Sequence, residues 1–213
     1  CPRHKGQICF SMKTRGVSAH SSAPENGMNA IYDMALVIKE LEKLAEDLAQ
    51  RQIDPISGNP SLNIGVIRGG SHHSTVPNFC EIEIDRRTVF GENIKLVMSE
   101  FKEILEKIKR QNSNFSYEIG APDLLVPPLK TSENSPLVKS MRNATRMVLG
   151  KASTLSTFPG STDAPNFNCP AVIFGAGSLK QCHSLLEFID IEDLSKAVRV
   201  YLHTVLALDN FCA

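Results

Sequence analysis

The sequence has 213 residues, enough for one or two domains with a core that needs no disulfide or metal. Its 23 basic and 23 acidic residues give zero formal net charge, so we expect no nucleic-acid partner. No apolar run approaches the roughly 18 residues of a membrane span, and the opening CPRHKGQ holds no apolar signal segment. Six scattered cysteines without a CxxC pair favour reduced thiols and a cytoplasmic location.

The first half of the chain alternates between strand and helix patterns. Strands are predicted where apolar residues recur with period two, as in CEIEIDRR, and helices where they recur at i, i+3, i+4 and i+7. The predicted strands are 8–18, 62–68, 79–89 and 114–119, and the predicted helices are 28–51 and 93–111. This β-α-β-β-α-β order is typical of a ferredoxin-like α+β domain, with one antiparallel sheet and two helices on one face. We assign it to residues 8–119.

Residues 120–213 have a different pattern, which begins with a proline-rich stretch. A helix is predicted over 135–149, between an N-cap at Ser135 and a stop at Gly150. Another is predicted over 191–209, with one apolar face made of Leu194, Val198, Tyr201, Leu202, Val205 and Leu206. The apolar run 171–175 predicts a strand buried in a parallel sheet. One such strand cannot make a sheet with protected edges, so we expect part of a larger α/β domain. Because the chain starts at Cys1 and not at a methionine, we expect it to be a truncated or proteolysed piece of that larger protein.

Two histidines follow predicted strands on loops, where functional side chains concentrate. His20 follows the strand 8–18; the alternative is a surface histidine with local hydrogen bonds. His183 follows the strand 171–175 through a glycine-rich loop, and imidazole is a common zinc ligand; the alternative is an ordinary loop histidine. The adjacent pair His72 and His73 should point apart, which argues against a shared metal.

Two further segments can recognise an anionic substrate group. Arg86 and Arg87 end a strand, so one should face the helices and the other should face outward. An arginine that points into a cleft can bind a carboxylate. The alternative is a solvent ion pair with Asp85 or Glu83. The loop 160–163 offers backbone amides and hydroxyls to a substrate; the alternative is a plain turn that caps a short helix.

Four motifs in order resemble the family of co-catalytic zinc amidohydrolases, which includes aminoacylase, acetylornithine deacetylase and succinyl-diaminopimelate desuccinylase. The motifs are RGVSAHSSAPENGMNAI, GVIRGGSHHSTVPNFCEIEIDRR, PGSTDAPNF and IFGAGSLKQCHSLLEFIDIEDL. The resemblance runs from about residue 7 to 210 and is specific to the family, not to one substrate. It implies that 8–119 is the lid or dimerisation domain and that 120–213 ends the catalytic domain.

The resemblance also implies roles for individual residues. His20 matches the lid histidine that crosses the dimer to polarise the partner's substrate carbonyl. His183 matches a zinc ligand, and Arg87 matches the arginine that binds the substrate carboxylate. The loop Gly160, Ser161 and Thr162 matches a substrate-binding loop. Ser74 stands where many members carry a substrate-contacting asparagine.

A second departure concerns the family's N-terminal catalytic segment, whose His-x-Asp metal motif, bridging aspartate and Glu-Glu pair do not occur in this sequence. We therefore expect a parent enzyme that cleaves an N-acyl amino acid or small peptide with metal-activated water. The metal site should hold two zinc ions, with cobalt or manganese as alternatives, and the enzyme should form a homodimer through the lid. The chain alone should be inactive. The alternatives are a non-catalytic homodimerisation or regulatory module, and a metal-free small-molecule binder that uses Arg87 and residues 160–162.

Overall fold

The structure, a computed structural model, describes residues 1–51, 53–151, 153–181 and 185–212, with side chains up to Asp209. Its strands are β1 Arg3–His4, β2 Gly6–Arg15, β3 Ser61–Gly69, β4 Phe79–Thr88, β5 Ser116–Ile119, β6 Leu124–Val126, β7 Leu129–Lys130 and β8 Thr157–Phe158. Its α-helices are α1 Ala30–Gln50, α2 Ile94–Gln111, α3 Pro136–Leu149 and α4 Ile191–Cys212. Short 3₁₀ helices occupy Pro24–Asn26, Ala164–Asn166 and Leu179–Gln181.

The chain divides into two compact units. The N-terminal unit is Lys5–Pro128, and the C-terminal unit combines the first four residues with those from Leu129 onward. The limits 8–119 and 120–213 remain the prediction from sequence. Since β1 precedes Lys5 and β7 follows Pro128, the N-terminal unit is an insertion in the chain of the other.

The N-terminal unit has the predicted β-α-β-β-α-β order. Its sheet has the strand order β3-β4-β2-β5, every neighbouring pair is antiparallel, and β6 continues the edge beside β5 by pairing with β2. The predicted α+β fold class is therefore confirmed. Strand β3 is the opposite edge of the sheet, with β4 as its partner among the described strands.

The core of this unit lies between the sheet and its two helices. Because β2 alternates with period two, Ile8, Phe10 and Met12 turn inward and are at most 2% exposed. Phe10 meets Phe101 of α2 edge to face, with ring centroids 5.0 Å apart. The other face of the sheet carries polar and charged side chains, as the alternation in β4 predicts.

The C-terminal unit contains a small sheet and a pair of helices. β1 pairs with β7 antiparallel and with β8 parallel. Helix α3 starts where the Ser135 hydroxyl accepts a hydrogen bond from the Val138 amide at 3.3 Å, and it stops at Gly150, whose φ of 73° suits glycine. Both caps were predicted from sequence. None of the described helices is long and apolar enough to cross a membrane.

Two predictions for the C-terminal unit are wrong. The apolar run 171–175 forms no strand and is partly exposed; Cys1 and Ile173 exchange two backbone hydrogen bonds of 2.8 Å instead. Helix α4 buries a different face from the one predicted, because Ala197, Val200 and Thr204 turn inward. The predicted apolar stripe is 44% to 64% exposed; its members are Leu194, Val198, Tyr201, Leu202, Val205 and Leu206. Helix α4 thus has two apolar faces.

Candidate active site and its loops

His20 lies on the loop between β2 and α1, residues 16–29, which we call the histidine loop. A second loop, residues 70–78 between β3 and β4, runs beside it and is hydrogen-bonded to it. The Val76 amide donates to Ala19 O at 2.8 Å, and the Ser21 amide donates to Ser74 O at 3.0 Å. The fold therefore brings together two residues selected from sequence, His20 and Ser74.

The imidazole of His20 is exposed and makes its hydrogen bonds locally. Its Nδ1 lies 2.7 Å from the Ser22 hydroxyl and 3.2 Å from the Ser22 backbone nitrogen. The other ring nitrogen, Nε2, lies on the far side of the ring from Ser22. The local hydrogen bonds of the alternative interpretation are thus present, and they leave Nε2 for a further partner.

The prediction that His72 and His73 point apart is wrong. Their rings stack with centroids 4.2 Å apart and planes at 30°, because the loop turns back where the Thr75 amide donates to His72 O at 3.2 Å. His72 Nδ1 accepts the Ser74 amide at 3.1 Å. Among the described residues, no three histidine, cysteine, aspartate or glutamate side chains gather to hold a metal ion.

Arg86 and Arg87 take opposite faces of β4. Arg86 turns into the core, with its side chain 0% exposed, and pairs with Glu92 at 2.5 Å. Arg87 lies on the polar face, where its Nη2 and Nε contact Asp85 Oδ2 at 2.8 and 3.2 Å. The ion pair of the alternative interpretation is therefore present, and it leaves the Nη1 hydrogens of Arg87 for another acceptor.

A second cation, Lys5, lies close enough to Arg87 for the two charges to interact. Burial, and secondly the charge of Arg87, lower the pKa of Lys5. The Lys5 ammonium donates to Asn59 O at 2.6 Å. Lys5 was not selected from the sequence because no pattern marks a lone lysine after a short strand.

The loop 160–162 lies in the C-terminal unit beside the short strand β8. The Thr162 hydroxyl lies 3.1 Å from Nε2 of His4, which is fully buried in β1, and accepts the Ala164 amide at 3.2 Å. Gly160 packs close to the Phe158 ring, which a Cβ would approach to 2.8 Å. His4 thus supports this loop, although the sequence analysis did not select it.

His183 lies outside the described residues, so its predicted role as a metal ligand remains a prediction. A cavity of about 610 Å³ is lined by residues that precede and follow it in the chain, among them Leu179, Gln181 and Phe188. Phe158 and Phe174 add apolar surface to this cavity.

Comparison with known proteins agrees with the fold of the N-terminal unit. The family model of the peptidase dimerisation domain of M20 peptidases matches residues 3–113, more than half of the chain. The chain therefore belongs to the M20 peptidase dimerisation-domain family.

Individual relatives match almost the whole chain. An acetylornithine deacetylase from Buchnera aphidicola subsp. Schizaphis graminum is 28% identical, with 98% of this chain and 53% of that protein aligned. A tripeptidase structure from Staphylococcus aureus subsp. aureus Mu50 is 26% identical, with a TM-score of 0.76 over 97% of this chain and 53% of the other. The structure of aminopeptidase PepT from Bacillus cereus ATCC 10987 shares the fold, with a TM-score of 0.75 and 21% identity. The match covers 98% of this chain and 53% of that one. The chain spans about half the length of these proteins.

Proposed function

We propose that the whole protein is a metal-dependent amide hydrolase, a deacylase or peptidase that cleaves N-acyl amino acids or small peptides. The observation that supports this most is the alignment of 98% of the chain with an acetylornithine deacetylase. Family membership and the likeness to a tripeptidase structure point to the same kind of reaction. On this proposal the chain contributes the lid and the end of the catalytic domain.

Each candidate residue then has a distinct task. His20 of one subunit reaches into the active site of the other subunit of the dimer and donates a hydrogen bond to the oxyanion that forms when water attacks the amide carbonyl. Arg87 binds the substrate carboxylate with the donors that Asp85 leaves available. Ser74 contributes to substrate binding beside His20, and Gly160, Ser161 and Thr162 form a second substrate-binding loop.

The metal would supply an activated water as nucleophile. Within the described ranges no three metal-ligating side chains gather, so these residues alone do not fit a metal site. We propose His183 as one ligand of a zinc pair, with cobalt or manganese as alternatives, and the remaining ligands would come from elsewhere in the whole protein. We also propose a cytoplasmic location, supported by the free thiols of Cys1, Cys9, Cys80 and Cys169.

The most direct test is hydrolysis by the full-length protein. A panel of N-acetyl amino acids, dipeptides and tripeptides should yield free amino groups, a chelator should abolish the release, and added zinc should restore it. His20→Gln should lower kcat by about 10²–10³-fold, as expected for loss of one oxyanion donor. Release that continues with a chelator, or unchanged turnover in His20→Gln, would contradict the proposal.

We further propose a homodimer formed by β3 and α1. The outer edge of β3 offers backbone groups to a second copy, because an edge strand is a ready template for pairing. Apolar side chains are exposed on these two elements: Tyr32 at 72%, Leu36 at 48% and Ile67 at 55%. A two-fold axis beside β3 would join both sheets into one.

The dimer has its own test. Leu36→Glu should convert the full-length protein to a monomer in analytical ultracentrifugation, because it places a charge in the apolar contact. Leu96→Glu on α2 is the matched control, since Leu96 is 66% exposed but lies on the other helix. A Leu36→Glu dimer as stable as the control would contradict this interface.

A non-catalytic homodimerisation or regulatory module is the second candidate, supported by the match of residues 3–113 to a peptidase dimerisation domain. The two candidates differ in one observable. If the full-length protein forms stable dimers but hydrolyses no substrate of the panel with zinc, cobalt or manganese, the non-catalytic module is favoured.

A further inference from the structure

The hydrogen bonds around His20 determine which of its ring nitrogens carries a hydrogen. The backbone amide of Ser22 lies 3.2 Å from Nδ1, and an amide N–H can only donate. Nδ1 must therefore present its lone pair. A neutral imidazole that accepts at Nδ1 carries its hydrogen on Nε2.

The Ser22 hydroxyl reinforces this choice, since it lies 2.7 Å from the same nitrogen and can also donate. Ser22 is held in place by a turn in which the Ala23 amide donates to His20 O at 3.0 Å. This turn is attached to the neighbouring loop 70–78 by a hydrogen bond of 3.0 Å from the Ser21 amide to Ser74 O. Ser22 thus presents two donors to one ring atom from a fixed piece of backbone.

Exposure makes these two bonds decisive. His20 and Ser22 are both exposed, so packing does not fix the orientation of the ring. Without the Ser22 hydroxyl, the backbone amide at 3.2 Å is the one donor left to Nδ1, so the population of the other tautomer should rise. A ring with its hydrogen on Nδ1 would present a lone pair at Nε2, which repels a developing oxyanion instead of stabilising it.

We propose that Ser22 is a positioning residue that holds His20 in the Nε2–H tautomer and so directs its one N–H donor away from the loop toward a substrate oxygen. The tautomer follows from the local geometry alone. The role of that donor toward substrate rests on the proposed amide hydrolysis.

The tautomer can be read by NMR in the full-length protein labelled with ¹³C and ¹⁵N at histidine, with His20 assigned from the signal that is lost in His20→Gln. The wild type should show the Nε2–H form at His20. Ser22→Ala should lower the ratio of Nε2–H to Nδ1–H about fivefold, the effect of one ordinary hydrogen bond, and Ser22→Thr should restore it. Ser18→Ala, an exposed serine of the same loop, should leave the ratio unchanged.

Kinetics supply the second readout. Ser22→Ala should lower kcat about fivefold with KM unchanged, and Ser22→Thr should recover it. The inference is overturned if wild-type His20 is mainly Nδ1–H, or if Ser22→Ala changes neither the tautomer ratio nor kcat. If the wild type hydrolyses no substrate, the proposed function fails, and the tautomer ratio by itself still decides the role of Ser22.

Discussion

Removal of the Glu92 carboxylate should destabilise the N-terminal unit more than any exposed charge substitution. Arg86 is 0% exposed and Glu92 is 8% exposed, with Nη2 and Oε1 2.5 Å apart. The second carboxylate oxygen accepts the Val89 amide at 2.8 Å. Glu92→Gln therefore leaves a buried guanidinium without its counter-charge, which costs about 3–5 kcal/mol in comparable pairs.

That cost is a large part of the total stability, which is about 5–15 kcal/mol for a typical domain. With an unfolding entropy of about 2.1 cal/mol/K per residue over roughly 120 residues, it corresponds to a Tm lower by about 10–20 °C. Thermal unfolding followed by circular dichroism measures the shift.

Glu83→Gln is the matched control for this measurement. Glu83 pairs with Arg68 on the polar face of the sheet, where both side chains are at least half exposed, so its loss should cost under about 1 kcal/mol. Arg86→Met with Glu92→Leu removes both buried charges and should recover most of the lost stability. Equal Tm values for Glu92→Gln and Glu83→Gln would refute this reasoning.

Three further outcomes are expected. Burial and a hydrogen bond to Glu106 raise the pKa of Tyr117 to about 12, so the stability that the neutral tyrosine contributes below pH 10 is lost as the pH rises from about 10 to 12. The difference in tyrosinate absorbance between wild type and Tyr117→Phe should show this late titration, and a midpoint near 10 would contradict it. Gly16→Ala places a Cβ 2.0 Å from Met28 O, so urea unfolding should show a free energy of unfolding lower by about 1–3 kcal/mol or more. An unchanged midpoint would contradict this, because it would mean that the histidine loop moves freely to make room. Ser135→Ala removes the N-cap of α3 and should cost about 1 kcal/mol in the same assay, with Ser135→Thr close to wild type.

The N-terminal unit could be predicted from sequence because its elements are long and strongly periodic. Helices α1 and α2 begin and end within two residues of the predicted limits, and the strands alternate cleanly. The C-terminal unit could not be predicted equally well. Strands β1, β7 and β8 have two residues each, too few for any period to appear, and α4 carries apolar residues on two faces, so the pattern did not show which face is buried.

The candidate site shows the same division between what is local and what depends on folding. His20, Ser74 and Arg87 were selected from motifs in the sequence, and their roles remain proposals. Other contacts near the candidate residues depend on the three-dimensional fold. His4 reaches Thr162 only because β1 joins the C-terminal sheet, and the charge of Arg87 acts on Lys5 although the two lie far apart in the sequence. Ser22 could have been noticed from sequence, since a serine two residues after a loop histidine is within reach of its ring.

We propose that His20 acts in amide hydrolysis across a homodimer. This role is tested most directly by combining two inactive variants of the full-length protein, His20→Gln and His183→Ala, through coexpression. In a mixed dimer, the subunit with His20→Gln keeps His183 and receives His20 from its partner, so one of the two sites is complete. Random pairing should then give about a quarter of wild-type hydrolysis. Activity no higher than that of either variant alone, in dimers shown to be mixed, would contradict the account.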